Sequence, residues 1–361
     1  MKIVVNAKEL TDIIKDITKG VEQVQSLTFE ASKGLVVTAQ NAGKVIALRV
    51  KDAKISEKGL FTVKPEVLVG LLKNRKELEM ELKDACVAFK APSSKSYSGN
   101  FVTLPDEKIS METEATNLNF TDEFIATLNT IVPAVSINDV HLGKMNPLPV
   151  FIKLSSKGAE FSCANDSHMA YARMSATKFK SDALMCLPAG TIPMMNSIAK
   201  NQAYKLSVTE SSIFASNESF RYRVPLEQFD QAISLDDAKG LIKQLKGEKS
   251  SGCITVKTAE LAKTLDNLMS VYEENVPVEF LIKEDSLRIR TKTNSGSVSD
   301  TLKGKDSKDM KIPVNVHPQV LGDILLRAKS PTITIMVVPN KCLMIETKVD
   351  GVEYIYSCIL L

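Results

Sequence analysis

The chain has 361 residues, with 46 Lys and Arg against 43 Asp and Glu and a hydrophobic fraction of 44%. This leaves room for two or three domains, each with its own core, and excludes disordered and fibrous classes. A formal charge of +3 permits a nucleic-acid partner without demanding one, and no apolar run is long enough to span a membrane.

The first residues, MKIVVNAKEL, carry too short an apolar run for a signal-peptide core, so a cytoplasmic protein is expected. From Ile3 the sequence IVVNAKELTDIIKDI alternates like a strand and then changes to helical spacing, with Val5, Leu10 and Ile13 as its frame. The same frame returns five times. It returns in FTVKPEVLVGLLKNR at Val63, Leu68 and Leu71, and in LNFTDEFIATLNTIV at Phe120, Ile125 and Leu128. It follows in MCLPAGTIPMMNSIA at Leu187, Ile192 and Met195, and in ITVKTAELAKTLDNL at Val256, Leu261 and Thr264. The last copy is VNVHPQVLGDILLRA at Val316, Leu321 and Ile324. Pro65, Pro188 and Pro318 are expected at helix starts, where a missing amide costs nothing, and Pro193 is expected to distort its helix.

Behind each helix the sequence alternates as about three strands, with turns at SKG, KDA, SSKG, ESS, KED and VPNK. The repeating unit is therefore βαβββ, and two units make a module. Three modules are expected, at 1–114, 115–246 and 247–361, in an α+β fold of antiparallel sheet with helices on one side.

Six side-by-side helices at about 10 Å would close a circle only about 19 Å across, leaving a hole of about 9 Å. Twelve give a hole of about 28 Å, which admits a double-helical nucleic acid and its water. The repeat thus implies a head-to-tail homodimeric ring. Two rival architectures remain: a duplicated α+β ligand-binding scaffold that never closes, and a two-domain trimeric ring, which carries four units per chain rather than six.

Chemistry is absent from the pattern. Cys86, Cys163, Cys186, Cys253, Cys342 and Cys358 are scattered singly, with no CxxC pair, and read as core residues of a reducing compartment. His141, His168 and His317 have no ligand-spaced neighbours, so neither a metal nor a cofactor is expected. No phosphate loop, dinucleotide fingerprint or nucleophile elbow occurs, and TNSGSVS reads as a hairpin turn. Asp166 and His168, two apart on a strand, share a side without forming an acid–base site. A non-enzyme is expected.

The whole chain resembles the bacterial-type sliding clamp, the β subunit of DNA polymerase III. The resemblance is strongest in MKIVVNAKELTDIIKDIT, in VSINDVHLGKMNPLPVFIKLSSKGAEFSCANDSHMAYARM, in IPVNVHPQVLGDILLRAKSPTITI and in the ending YIYSCILL. CANDSHMA is similar to the family's ATDGHRLA signature, with Ser167 for Gly, Met169 for Arg and Ala170 for Leu. These departures, and an ending unlike the family's Met-Pro-Met-Arg-Leu, fit a divergent clamp, phage-encoded or otherwise specialised, working in the bacterial cytoplasm or, if phage-encoded, in that of the host. The resemblance implies a homodimer around double-stranded DNA that ignores base sequence, an ATP-driven clamp loader, and capture of a DNA polymerase through short peptides. It implies no membrane.

DNA that slides needs phosphate-directed, water-mediated contacts rather than base readout. Basic side chains on the free helix faces supply them: Lys15, Lys19, Lys73, Arg75, Lys76, Lys200, Lys263, Arg327 and Lys329. A solvated helix charge is the competing reading for each alone. Resemblance adds Asn138, His141 and Lys144 in the loop NDVHLGKM. It also implies a partner-peptide pocket at Asn165, Ser167, His168, Met169, Ala170, Pro225 and Phe229, completed by Ile355, Ser357, Cys358 and Leu360. At the subunit joint it implies Phe101, Leu268 and Met269. Core packing competes for the apolar members of both sets.

Overall fold

The computed structural model describes residues 1–21, 23–91, 98–105, 121–136, 149–165, 167–175, 177–179, 182–200, 202–209, 211–226, 234–269, 276–294, 296–316, 322 and 330–360. The βαβββ unit recurs along them. The first copy is β1 (Lys2–Asn6), α1 (Ala7–Gly20), β2 (Leu27–Ala31), β3 (Leu35–Asn41) and β4 (Lys44–Val50), followed by a short β5 (Lys54–Glu57). The second is β6 (Gly59–Val63), α2 (Pro65–Leu72), β7 (Glu77–Lys83), β8 (Cys86–Lys90) and β9 (Ser98–Val102). The third shows α3 (Asp122–Ile131), a short α4 (Pro133–Ser136), β10 (Pro149–Ser155), β11 (Gly158–Ala164) and β12 (His168–Met174). Its expected opening strand lies outside the described residues.

The fourth copy is β13 (Ala183–Pro188), α5 (Thr191–Ala199), β14 (Lys205–Val208), β15 (Ser212–Ser216) and β16 (Phe220–Pro225). An additional helix, α6 (Leu235–Gly247), comes next. The fifth copy is β17 (Gly252–Lys257), α7 (Thr258–Met269), β18 (Val278–Lys283), β19 (Ser286–Thr293) and β20 (Gly296–Lys308). The sixth has β21 (Val314–Val316), β22 (Thr332–Val338), β23 (Cys342–Val349) and β24 (Val352–Ile359), while Pro318 and nearly all of its expected helix fall outside the described residues.

Local chemistry explains the boundaries. Asn6 caps α1 by accepting from the amides of Lys8 and Glu9, and Pro65 opens α2 at its first position. Pro188 instead closes β13, three residues before α5 begins. Pro193 lies in the first turn of α5, where no intrahelical amide is required, so that helix runs on to Ala199.

The chain divides into two compact units. One, Met1–Thr121 with Pro193–Leu226, holds a five-stranded sheet in the order β5-β1-β7-β8-β9 and a seven-stranded sheet, β14-β15-β16-β4-β3-β2-β6. The other, Asp122–Ile192 with Glu227–Leu361, holds one twelve-stranded sheet, β13-β10-β11-β12-β24-β23-β22-β17-β20-β19-β18-β21. The pairs between named strands are antiparallel throughout. Sheets thus continue between repeats far apart in sequence: β4 pairs with β16, setting Ile46 opposite Tyr222, and β12 pairs with β24, setting Ala170 opposite Tyr356.

In the first unit α1 buries Leu10, Ile13, Ile14 and Ile17. Gly20 lets it close on its neighbours, because a Cβ there would sit 3.1 Å from both Ile46 and Ile198. In the second unit the two faces of the large sheet carry different cores. Phe124 of α3 packs edge-to-face on Phe161 of β11, while α6 lays Leu235, Ala238, Ile242 and Leu245 over Met169, Tyr171, Met344 and Ile355.

Candidate nucleic-acid interface and partner surface

α1 turns its apolar stripe inward, and the spacing 8, 15, 19 places Lys8, Lys15 and Lys19 together on the solvent side with half-buried Asp12 among them. Among the described residues none of these three ammonium groups has an ion-pair partner. Lys73 and Lys76, just beyond α2, are also exposed, whereas Arg75 is half-buried. Lys200, at the end of α5, sits 3.6 Å from Asp16 and is partly neutralised. In the second unit Lys263 is exposed on α7 beside exposed Asp266, and the solvent side of α3 presents Asp122 and Ala126. Of the candidate cations among the described residues, Lys15, Lys19, Lys73 and Lys76 cluster on α1 and just after α2. Asn138, His141, Lys144, Arg327 and Lys329 lie outside the described residues. Lys8 belongs to this stripe and was not singled out from sequence, because it sits in the first turn, where a cation opposes the helix dipole.

Among the described residues, the expected pocket side chains of β12 and β24 divide between the two faces of their sheet, and strand register is the reason. His168 pairs with Cys358, Met169 with Ser357, Ala170 with Tyr356 and Tyr171 with Ile355. Opposed residues share a face and successive ones alternate. Met169, Ser357 and Ile355 therefore point to one side, and His168, Ala170 and Cys358 to the other. The first side is roofed by α6, which leaves Met169 only 4% and Ile355 2% exposed. On the second side the Tyr354 hydroxyl lies 3.4 Å from that of Thr127 in α3.

Asn165 shapes the turn into β12, its side-chain Oδ1 accepting from the backbone amides of Ser167 at 2.9 Å and His168 at 2.6 Å. Ser167 and Leu360 stay half-buried at the rim. Pro225 belongs to the other unit, against Gly43, and Phe229 lies outside the described residues.

His168 is buried with Nδ1 2.6 Å from the Tyr356 hydroxyl. Burial pushes that phenol well above its ordinary 10 and the Cys358 thiol up to about 12. A thiol held protonated there is no nucleophile, and the arrangement reads as structural. Among the described residues no three His, Cys, Asp or Glu side chains gather to hold a metal ion. No helix there is long and apolar enough to cross a membrane.

At the expected subunit joint, Leu268 is 1% exposed and belongs to the core beneath α7, because its spacing from Leu261 and Leu265 continues that helix's apolar stripe. Met269 and Phe101 are half-buried, and Phe101 packs edge-to-face on Phe89 with centroids 5.5 Å apart.

No family model matches the sequence, and no curated protein does. Solved structures match it over its whole length. A putative DNA polymerase III β subunit from Eubacterium rectale superposes with a TM-score of 0.78 at 13% identity, covering 100% of this chain and 99% of that one. The DNA polymerase sliding clamp of Bacillus subtilis gives 0.78 at 14% identity, with coverages of 100% and 99%. The chain has the sliding-clamp fold. The Helicobacter pylori β clamp bound to a DNA ligase peptide shares that fold as well, at a TM-score of 0.76, 10% identity and full coverage of both chains.

The sliding-clamp fold accounts for the six repeats and leaves α6 standing outside them. That helix is not marked by the repeat, because its segment carries no strand-to-helix frame. Its signals were local: a Ser234-to-Asp237 capping box, followed by Leu235, Ala238, Ile242 and Leu245 at helical spacing.

Proposed function

We propose that the chain is a DNA sliding clamp: two copies close head to tail around duplex DNA and tether a DNA polymerase to it. One observation carries the reading. The final strands of the repeats pair across the expected modules 1–114, 115–246 and 247–361, as β4 with β16 and β12 with β24. Two final strands are left over. Among the described residues β9 pairs only with β8, and Gly296–Lys303 of β20 pairs only with β19. Setting β20 of one copy against β9 of another extends the same rule, and a two-fold axis closes the assembly. It also covers two sheet edges that would otherwise invite uncontrolled pairing. Phe101 and Met269 are then the apolar candidates near the joint, with Leu268 supporting from the core.

Inside such a ring Lys8, Lys15, Lys19, Lys73, Lys76 and Lys263 hold phosphates at long range, and Lys200 and Arg75 contribute less. The chain itself makes no bond. An ATP-driven loader opens the ring, partners dock through short peptides, and the work is done in the cytoplasm. The matching structures include a putative DNA polymerase III β subunit and a β clamp bound to a DNA ligase peptide, which supports partners of these kinds.

Retention on nicked circular DNA tests the reading. The protein is expected to sediment at twice its chain mass, to stay on a nicked circle through gel filtration, and to leave once the circle is linearised. A monomer at micromolar concentration, or equal release from circle and linear DNA, would overturn it.

A further inference from the structure

α6 crosses the strands of its sheet rather than running along them. Lys239 meets Glu160 on β11 at 2.9 Å, and Lys246 meets Glu346 on β23 at 3.1 Å and Glu353 on β24 at 3.4 Å. The first turn of the helix stands at β10, so the roof stops one strand short of the sheet's end. Beyond it lies an open cavity of about 360 Å³, lined by Phe151, Leu184 and Leu235 with Lys153, Asp182 and Asp236 as its charged members. Leu184, opposite Lys153 in register, is 70% exposed, a large apolar side chain left in water. Among the described residues β13 pairs with β10 alone, so one row of its amides and carbonyls has no ladder partner.

We infer that this cavity docks an extended peptide of a partner protein, added as a strand to β13 with an apolar side chain seated among Phe151, Leu184 and Leu235 and a basic residue facing Asp182 and Asp236. The volume suits one or two large apolar side chains, and a free strand edge supplies main-chain bonds while the pocket supplies selectivity. The sign of the flanking charge follows from the rim. The α6 N-terminus is already answered by the Ser234–Asp237 capping box, so it offers no vacant anion site, and Asp182 with Asp236 outweighs Lys153. The sheet around Met169 and Ile355 is closed to such a peptide, because lifting α6 would bare the fully buried Val338 and Met344. The inference rests on the clamp reading only for the identity of the partners, which would be replication proteins carrying short docking segments.

The test uses the full chain and a fluorescein-labelled eight-residue peptide of alternating Leu and Thr behind two lysines, read by fluorescence polarisation. Leu184→Glu is expected to weaken binding by at least about tenfold and Asp182→Lys by about threefold, with unchanged melting profiles. A benzophenone on the peptide is expected to crosslink to the Ala183–Leu184 or Phe151 segments. Absence of binding by the unaltered protein, unchanged binding by Leu184→Glu, crosslinks to β24, or crosslinks joining two copies through Leu184 would each overturn the inference. Nicked-circle retention of the same samples separates the two readings: failure of the unaltered protein there removes the clamp, while the docking cavity stands or falls on the polarisation data.

Discussion

α1 and α6 are built from nearly the same materials and serve different ends. Each is amphipathic, each begins at a side-chain cap, and each carries lysines on its outer side. The lysines of α1 at positions 8, 15 and 19 meet no carboxylate among the described residues. Those of α6 at 239 and 246 are committed to Glu160, Glu346 and Glu353. A free ammonium group is available to a polyanion at long range, whereas a paired one pins its own helix. Counting basic residues therefore says little about nucleic-acid binding; whether each charge is already answered says much more.

Removing the apolar underside should hurt both helices alike and most severely. Ile242→Ala and Ile13→Ala are each expected to cost about 2–5 kcal/mol, measured as a shift in the urea midpoint. A loss below about 1 kcal/mol for Ile242→Ala would mean that α6 rests loosely on the sheet rather than roofing it. The charges should then part the two helices. Replacing Lys8, Lys15 and Lys19 together by Ala is expected to reduce the slope of log affinity against log salt by up to about 2.7 on duplex DNA, leaving the melt unchanged. The Lys239→Ala, Lys246→Ala double variant should leave that slope alone. Equal losses in the two variants would break the comparison.

The repeat was readable because buried strands and helix faces must alternate with fixed periods, and six copies of one frame at Val5, Val63, Phe120, Leu187, Val256 and Val316 reinforce each other. The hairpin turns were readable for a related reason: residues such as Asp84, Asp285 and Asn340 take positive φ in the structure, and turn-forming types mark such places. What the sequence hid was pairing at a distance. Nothing in HMAYARM announces that β24 lies beside it, so the face on which Met169 or Ile355 would land depends on a register that no local pattern encodes. Leu268 carries a related ambiguity, since an apolar residue fit for an interface is equally fit for a core, and in the structure it is buried beneath α7. α6 was legible through its capping box and spacing, but it belongs to no repeat, so the period does not mark it.

The finest distinction lies between the lysines themselves, as a pH dependence that the paired Lys239 of α6 should show and the unpaired Lys15 of α1 should not. Burial pushes the Glu160 carboxyl upward, but hydrogen bonds from Lys239 and from the Tyr171 hydroxyl, with the charges of Lys239 and Arg173, more than offset it and hold the group below its ordinary 4.5. A carboxyl lowered on folding adds stability that is present above the unfolded value and disappears as pH falls through the folded one. Lys239→Met should therefore destabilise the second unit at pH 7, lose part of that effect near pH 4.5, and match the unaltered protein once acid has protonated Glu160 in both. The size is modest, about 0.2–1 kcal/mol, because Lys239 is 40% exposed and solvent screens the pair. Lys15→Met on α1, with no carboxylate to answer, should show no such window. Urea midpoints at pH 7 and pH 3 for both variants decide it: a deficit in Lys239→Met that persists undiminished in acid would mean the lysine holds α6 by packing its stem rather than by its charge.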